Sequence, residues 1–127
     1  MPRIRALKHD LFLNETLADL GPHHMLLFAG LWLVADREGR LEDRPRKIGA
    51  QVFPYWQKIN VDKILNDLNK SKFILRYTIK DDNYIQIISW EKHQRPHHTE
   101  KPSVIPHPKR RRKNRELTVN SPLKDGE

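Results

Sequence analysis

Between residues 57 and 66 the sequence has several amide and amine side chains, which can form hydrogen bonds with the edges of DNA bases. They are Gln57, Asn60, Lys63 and Asn66. Such groups match the donor and acceptor patterns that base pairs present in the major groove, and a helix commonly carries them there. We therefore predict base contacts from these residues. The alternatives are ordinary solvated positions on an amphipathic helix, or a face that binds another protein.

Cations form a second set, which is suited to phosphate groups. Those predicted at a helix start and in a hairpin are Arg44, Arg46, Lys47, Arg76 and Lys80. A denser run near the end of the sequence consists of Lys109, Arg110, Arg111, Arg112, Lys113 and Arg115. Phosphate contacts release counterions and add salt-dependent affinity without sequence information. We predict double-stranded DNA as the partner, and a merely solubilising tail is the alternative reading of the terminal run.

Residues that could support catalysis or bind a metal are sparse. The sequence has no cysteine, and His93, His97 and His98 alone fall short of the four ligands that a structural zinc site normally uses. Asp81 and Asp82 fit the tip of a hairpin turn as well as they fit a carboxylate pair. No Gly-rich phosphate loop or nucleophile elbow is present. We expect a protein that is not an enzyme and that uses no metal, cofactor or small-molecule substrate.

Two aromatic residues, Tyr55 and Trp56, lie together in a predicted connection between two helices. Aromatic rings can serve as platforms on which unpaired bases stack. They can equally pack into a small core. For Trp56 we expect packing, with stacking as the alternative, whereas Trp32 lies in a strongly apolar stretch and is predicted to be core.

Composition favours an anionic partner. The 127 residues carry a formal charge of +8, with 24 Lys and Arg against 16 Asp and Glu, and the pI is near 9.9. Nucleic acid is the first candidate for such a chain and a membrane surface the second. The longest apolar stretch, residues 25–35, is much shorter than the roughly 20 residues of a membrane span. We therefore expect a cytoplasmic protein without a membrane partner.

Apolar content divides the sequence into three parts. Residues 91–127 hold five apolar side chains and no aromatic residue, together with five of the nine prolines. Such a segment buries too little surface to offset the entropy of ordering it. We predict a compact domain at 1–90, a Pro- and His-rich segment at 91–106 that packs on the domain or trails it, and a disordered basic tail at 107–127.

The periodicity of residues 1–90 predicts an α+β fold. A short helix at 14–20 precedes a helix at 22–35 that is apolar all round and should be central. A very short strand at 41–42 leads to a helix at 44–53 capped by Asp43. Asn60 then caps a third helix with an apolar stripe at i, i+3, i+4 and i+7. Strands at 73–79 and 84–90 flank a turn at 80–83. This is the element order of a winged helix-turn-helix, with a three-helix core and a β-hairpin wing.

Several ordered motifs carry a family resemblance. They are Met-Pro-Arg-Ile-Arg at 1–5, Asn-Glu at 14–15, Leu-Phe-Ala-Gly-Leu-Trp at 27–32, Ala-Asp-Arg-Glu-Gly-Arg-Leu at 35–41, Phe-Pro at 53–54, Tyr-Ile-Gln-Ile at 84–87, Lys-His-Gln at 92–94 and a Pro-rich stretch after them. Together they resemble the winged-helix N-terminal domain of bacteriophage replication-initiation proteins, the replisome organisers, over about residues 1–106.

The resemblance implies an origin-binding domain of phage or prophage origin that helps to recruit a replicative helicase or its loader. Two departures from the family pattern bear on this expectation. Relatives often have a glycine at the end of the third helix, where this sequence has Ser71 and Lys72. Longer relatives also carry a second folded domain after the Pro-rich stretch. A winged-helix transcriptional regulator and a protein-binding adaptor that contacts a helicase or its loader are the alternatives.

Overall fold

A computed structural model describes residues 4–94 and 100–108. Within those residues the chain forms six helices and one three-stranded antiparallel sheet, which confirms the predicted α+β class. The helices are α1 (Asp10–Leu13), α2 (Glu15–Leu20), α3 (Pro22–Val34), α4 (Pro45–Val52), α5 (Val61–Lys70) and α6 (Trp90–His93). The strands are β1 (Arg40–Glu42), β2 (Ile74–Ile79) and β3 (Asp82–Ile87). The predicted tail lies outside the described residues, apart from His107 and Pro108.

Helix α3 supplies the centre of the core but is not buried all round. Leu27, Phe28 and Leu31 are almost fully buried, as the apolar sequence predicts. Leu26 and Leu33, however, are each 49% exposed. The reason is that α2, α4 and α5 pack against α3 and leave one side of the helix uncovered within the described residues. Apolar composition alone therefore overestimated the burial of this helix.

Helices α4 and α5 begin in different ways. The Asn60 side chain accepts a hydrogen bond of 3.1 Å from the backbone N–H of Lys63, which confirms the predicted cap of α5. The prediction that Asp43 caps α4 is wrong. Arg44 occupies that position without a side-chain cap, and Pro45 supplies the first turn, where a missing N–H costs nothing. The Asp43 carboxylate is instead paired with Arg76.

Helix α5 shows the predicted division into two faces. Val61, Ile64, Leu65 and Leu68 are buried at the predicted spacing. The helix ends in a turn in which the backbone N–H of Phe73 donates to the Leu68 carbonyl and Lys72 adopts φ +66°. That left-handed conformation is the one that glycine adopts most easily. Lys72 therefore occupies a backbone conformation that favours glycine.

The sheet has the strand order β1-β3-β2, with Leu41 opposite Ile85 and Ile79 opposite Asp82. The hairpin turn is narrower than predicted, because only Lys80 and Asp81 lie between paired residues. Both have positive φ, the geometry of the two-residue turns that match the twist of paired strands. Strand β3 is also shorter than the strand predicted at 84–90, since it ends at Ile87 and Trp90 begins α6.

Segments from the two ends of the described chain meet in what we call the clasp, made of residues 4–8, α6, Gln94 and residues 100–106. The Arg5 guanidinium donates bidentately to Glu100 at 2.8 Å and also to the carbonyls of Trp32, Ala35 and Asp36 at the end of α3. The C-terminal end of a helix carries partial negative charge, so a cation is favourable there.

The ring of Trp90 completes the clasp. The Arg5 guanidinium carbon lies 5.1 Å from the centre of this ring, and the indole N–H donates to the Arg37 carbonyl at 2.6 Å. Gly39, at φ +77°, lies so close to the ring that a Cβ there would be 2.7 Å from it. Only glycine satisfies both the left-handed backbone and the close approach.

Residues 100–106 also run beside the sheet. Arg40 donates to the Ile105 carbonyl, and the Tyr77 hydroxyl donates to the Pro106 carbonyl at 2.8 Å. Burial disfavours the charged phenolate and raises the pKa of Tyr77 to about 12. This part of the Pro-rich segment therefore makes specific hydrogen bonds with the domain.

Candidate nucleic-acid interface

The connection between α4 and α5 brings several predicted contact residues to one groove. The groove has a volume of about 660 Å³ and lies between the start of α4 and the start of α5. Its lining includes Arg46, Gln57, Asn60 and Asp62. One residue predicted to bind phosphate and two predicted to read bases thus line the same groove.

Lys63 and Asn66 lie on the exposed side of α5, which we call the α5 face together with Asp62 and Asp67. The Lys63 ammonium is 3.1 Å from a carboxylate oxygen of Asp67. His24 on α3 reaches the same oxygen at 2.8 Å. The hydrogen bond from His24, followed by the one from Lys63, lowers the pKa of Asp67 below its ordinary value. Asp67 is therefore held by two donors beside the positions predicted to read bases.

Arg76 on β2 lies at the centre of an internal network. Its guanidinium binds Asp43 through two hydrogen bonds of 2.6 and 2.9 Å. It also donates to the Asp62 carboxylate at 2.8 Å, to the Asp62 carbonyl and to the Asn66 side-chain oxygen at 2.8 Å. These five bonds use all five N–H donors of the side chain. The hydrogen bonds that Arg76 donates to Asp43, ahead of the one that it donates to the Asp62 carboxylate, raise the pKa of Arg76, and burial opposes them.

This network changes what Arg76 can do. The sequence predicts a cation of the wing that contacts phosphate, whereas the structure shows a guanidinium whose charge is taken up by two carboxylates. Arg76 joins β2 to α5 and to Asp43, which lies between β1 and α4, so it fixes the hairpin relative to the α5 face. Because Arg76 also binds Asp43, its single positive charge offsets only part of the negative charge that Asp62 brings to this face.

Hydrogen bonding also defines which atoms of the two asparagines remain available. The side-chain oxygen of Asn60 accepts from the Lys63 backbone, and that of Asn66 accepts from Arg76. The amide NH₂ groups are the parts that can still donate to acceptors on a base edge, such as N7 and O6 of guanine. Gln57 is exposed in the connection before α5.

The remaining predicted cations lie apart from Arg76. Arg44 and Lys47 border a groove of about 990 Å³ between α4 and residues 100–105 of the clasp. The Arg44 side chain is 3.6 Å from Glu42, a loose and exposed contact. Lys80 is exposed at the tip of the hairpin. The structure thus places Lys80 on a different element from the α4 cations, and residues 109–115 lie outside the described residues.

Sequence reasoning misjudged one feature here and overlooked another. Trp56 is 56% exposed rather than packed, and its neighbour Tyr55 is 87% exposed. Lys58, an exposed cation of the same connection, was not singled out. The signal available in the sequence was the position of all three residues in a segment without apolar periodicity.

No group of three or more potential metal-binding residues occurs within 4–94 and 100–108. His93 belongs to the core side of α6, where its ring stacks on Trp32 with centres 5.1 Å apart. Burial, followed by the charges of Lys8 and Lys92, lowers the pKa of His93. His97 and His98 lie outside the described residues. In the described part of the chain no helix combines the length and apolarity needed to cross a membrane.

Comparison with protein-family models, with curated proteins and with solved structures finds no match to this chain.

Proposed function

We propose that this protein is a winged-helix protein that binds double-stranded DNA and has no catalytic role. The observation that carries the proposal is the unit formed by α4, its connection and α5, which packs on α3 and is followed directly by a hairpin. In a helix-turn-helix the second helix of such a unit enters the major groove. Here that helix is α5, and its exposed side carries Lys63 and the amide of Asn66.

The charges near α5 are compatible with phosphate. Asp62 is paired with Arg76, and Asp67 is paired with Lys63 and His24. Arg46 has no ion-pair partner within the described residues. The proposal assigns base contacts to Gln57, Asn60, Lys63 and Asn66. It assigns phosphate contacts to Arg44, Arg46, Lys47 and Lys80, with Arg76 as the residue that positions the hairpin.

The cations at 109–113 and at 115 are proposed to add affinity for any duplex. Deleting residues 107–127 should weaken binding to all duplexes by a similar factor. It should also flatten the slope of log affinity against log salt concentration by roughly 3–5, at about 0.9 for each lost phosphate contact. An unchanged slope would show that the tail does not contact DNA.

A role in phage or prophage replication initiation, in the cytoplasm of a bacterial host, rests on the resemblance of the motifs described above. It adds a replicative helicase or helicase loader as a further proposed partner. A transcriptional regulator would use the same fold and the same face. Selected binding sites that are palindromic would favour the regulator, and clustered direct sites beside a replication origin would favour the initiator.

A protein-binding adaptor is the second candidate, favoured by the uncovered side of α3. Leu26, Gly30 and Leu33 line an apolar groove of about 520 Å³ there, together with Leu7 of the clasp. Contiguous exposed apolar surface often marks a contact with another protein. An adaptor of this kind should bind a purified helicase or loader through Leu26 and Leu33 and should have no affinity for duplex DNA.

The test begins with selection of duplexes from a randomised 20-base-pair library, followed by fluorescence anisotropy with a selected and a scrambled duplex. Lys63→Ala and Asn66→Ala should each weaken binding to the selected duplex by about 1–3 kcal/mol and spare the scrambled one. Lys92→Ala, at an exposed lysine of α6, is the charge-matched control and should change neither. If both α5 variants bind both duplexes like the wild type, α5 does not enter the groove.

A further inference from the structure

The connection between α4 and α5 displays two neighbouring aromatic rings to solvent. Tyr55 is 87% exposed and Trp56 is 56% exposed, whereas Trp32 and Trp90 are buried. The Tyr55 and Trp56 ring centres are 6.3 Å apart, and their planes are nearly perpendicular at 86°. The two rings therefore present faces in two different directions, and each exposed face is a surface on which another planar group can stack.

The Trp56 ring is held by its surroundings. Its backbone N–H donates to the Phe53 carbonyl at 3.1 Å, and its ring meets the buried Phe53 ring edge-on, with centres 6.4 Å apart. Phe53 in turn contacts His23 at the start of α3. The indole is thus anchored against a core residue while more than half of it stays exposed, so little side-chain freedom is lost when a ligand binds.

Cations and amides surround the two rings. Arg46 lines the adjoining groove, Lys58 is exposed two residues beyond Trp56, and neither has an ion-pair partner within the described residues. Gln57 and the cap residue Asn60 add hydrogen-bonding groups. The one carboxylate that lines the groove, Asp62, is bonded to Arg76 at 2.8 Å, and the two cations outweigh it. The surface is therefore aromatic and net positive, the chemistry that binds bases by stacking and the backbone by charge.

We propose that the Tyr55–Trp56 pair binds a single-stranded segment of nucleic acid by stacking on unpaired bases. This inference goes beyond the proposed duplex contact, because it uses the connection rather than the α5 face. It does not depend on that contact. The two surfaces adjoin at Asn60, which begins α5, so one DNA molecule with a paired and an unpaired part could occupy both.

The experiment compares two labelled probes of equal length and charge, oligo(dT) and an oligomer of abasic deoxyribose phosphate. Both attract the same cations, but only oligo(dT) has bases to stack. Anisotropy titrations of the full chain should show oligo(dT) binding about 5- to 150-fold more tightly, the range expected for one stacked base. Oligo(dT) should also quench the fluorescence of Trp56, the exposed member of the three tryptophans in the sequence.

Tyr55→Ala should remove most of this preference and leave binding to a blunt duplex within twofold of wild type. Because Tyr55 is so exposed, the variant should keep its thermal midpoint. Phe12→Ala is the matched control, since Phe12 is an aromatic residue of α1 with 55% exposure, and it should retain the preference. Trp56→Phe should retain stacking while losing the quenching signal.

Equal affinity of the wild type for the two probes would overturn the proposal and leave the pair as a contact for protein. Preference retained in Tyr55→Ala would overturn it as well. Failure of duplex binding with an intact preference for oligo(dT) would instead count against the α5 face alone, so the two proposals fail separately.

Discussion

The clasp and the α5 face differ in how far their charged side chains are buried and paired. In the clasp the Arg5 side chain is only 4% exposed and binds Glu100 and three carbonyls. On the α5 face Lys63 is 69% exposed and makes one exposed ion pair. Buried charges are costly unless they are fully paired, whereas exposed ones contribute little to folding. The clasp is therefore built to hold the domain together, and the α5 face keeps groups available for a partner.

The residues of the motifs that carry the family resemblance differ in role from the residues proposed to contact DNA. Arg5 and Gln94, which lie in those motifs, belong to the clasp, where the Gln94 side chain exchanges two hydrogen bonds with the backbone of Ala6. Gly39, in a third motif, packs against the Trp90 ring of the clasp. Most of those motifs thus serve the architecture of the domain. The residues proposed to contact DNA lie between the motifs, which is where proteins of one fold would be free to differ in the sequence that they recognise.

The largest expected effect comes from a substitution that breaks the clasp. Arg5→Ala removes the cation of a buried ion pair. The Glu100 carboxylate and three backbone carbonyls then lose the hydrogen bonds that Arg5 donates to them. We expect the free energy of unfolding to fall by about 3–5 kcal/mol. Arg46→Ala, at an exposed arginine that forms no ion pair with the residues that the structure describes, should change it by no more than about 0.5 kcal/mol. Urea denaturation followed by circular dichroism measures both. A loss below about 1 kcal/mol for Arg5→Ala would mean that the clasp does not hold the domain.

The second prediction tests the close packing within the clasp. Gly39→Ala forces a side chain into the left-handed conformation, at about 1–2 kcal/mol, and pushes a Cβ into the Trp90 ring, at about 1–3 kcal/mol. Together these should lower the free energy of unfolding by about 2–5 kcal/mol and change the fluorescence of Trp90. Gly49→Ala in α4 is the control and should stay within about 1 kcal/mol of wild type. A stable Gly39→Ala protein with unaltered fluorescence would contradict this packing.

Sequence distance explains which of these features could be predicted. The buried stripe of α5 and the cap at Asn60 depend on residues three to seven positions apart, so periodicity reveals them. The pairs Arg5–Glu100 and Asp43–Arg76 join residues 95 and 33 positions apart. No local pattern specifies such partners, and for that reason Asp43 was predicted as a cap and Arg76 as a free cation. The exposure of Trp56 likewise depends on how α4 and α5 meet.

The third prediction concerns another left-handed position, at the end of α5. Lys72 holds φ +66° without glycine, so Lys72→Gly relieves about 1–2 kcal/mol of backbone strain. The greater freedom of glycine in the unfolded chain offsets part of that gain. We expect a net stabilisation of about 0.5–1 kcal/mol by thermal unfolding. Lys70→Gly, within the last turn of α5, should instead destabilise by about 1 kcal/mol. Equal changes in thermal stability for the two substitutions would show that the positive φ of Lys72 does not strain the folded chain.

The smallest expected effect lies on the α5 face and depends on pH. The pKa of Asp67 is lowered, first by the hydrogen bond from His24 and then by the one from Lys63. A carboxylate whose pKa is lower in the folded than in the unfolded chain stabilises the fold fully above its ordinary pKa of about 3.9. That stabilisation disappears as the pH falls through the lowered folded value. The wild type should therefore be more stable than Asp67→Asn near pH 6, and the difference should shrink toward pH 2.

Carboxyl titration by NMR measures the same linkage directly. The Asp67 midpoint should lie below about 3.9 in the wild type. Since the His24 bond is the larger cause, His24→Ala should raise that midpoint further than Lys63→Ala does. A midpoint at or above the ordinary value would mean that Asp67 is not held by His24. Its charge, countered by the exposed Lys63 alone, would then face an approaching phosphate, and the α5 face would be a poorer surface for DNA than for a basic protein partner.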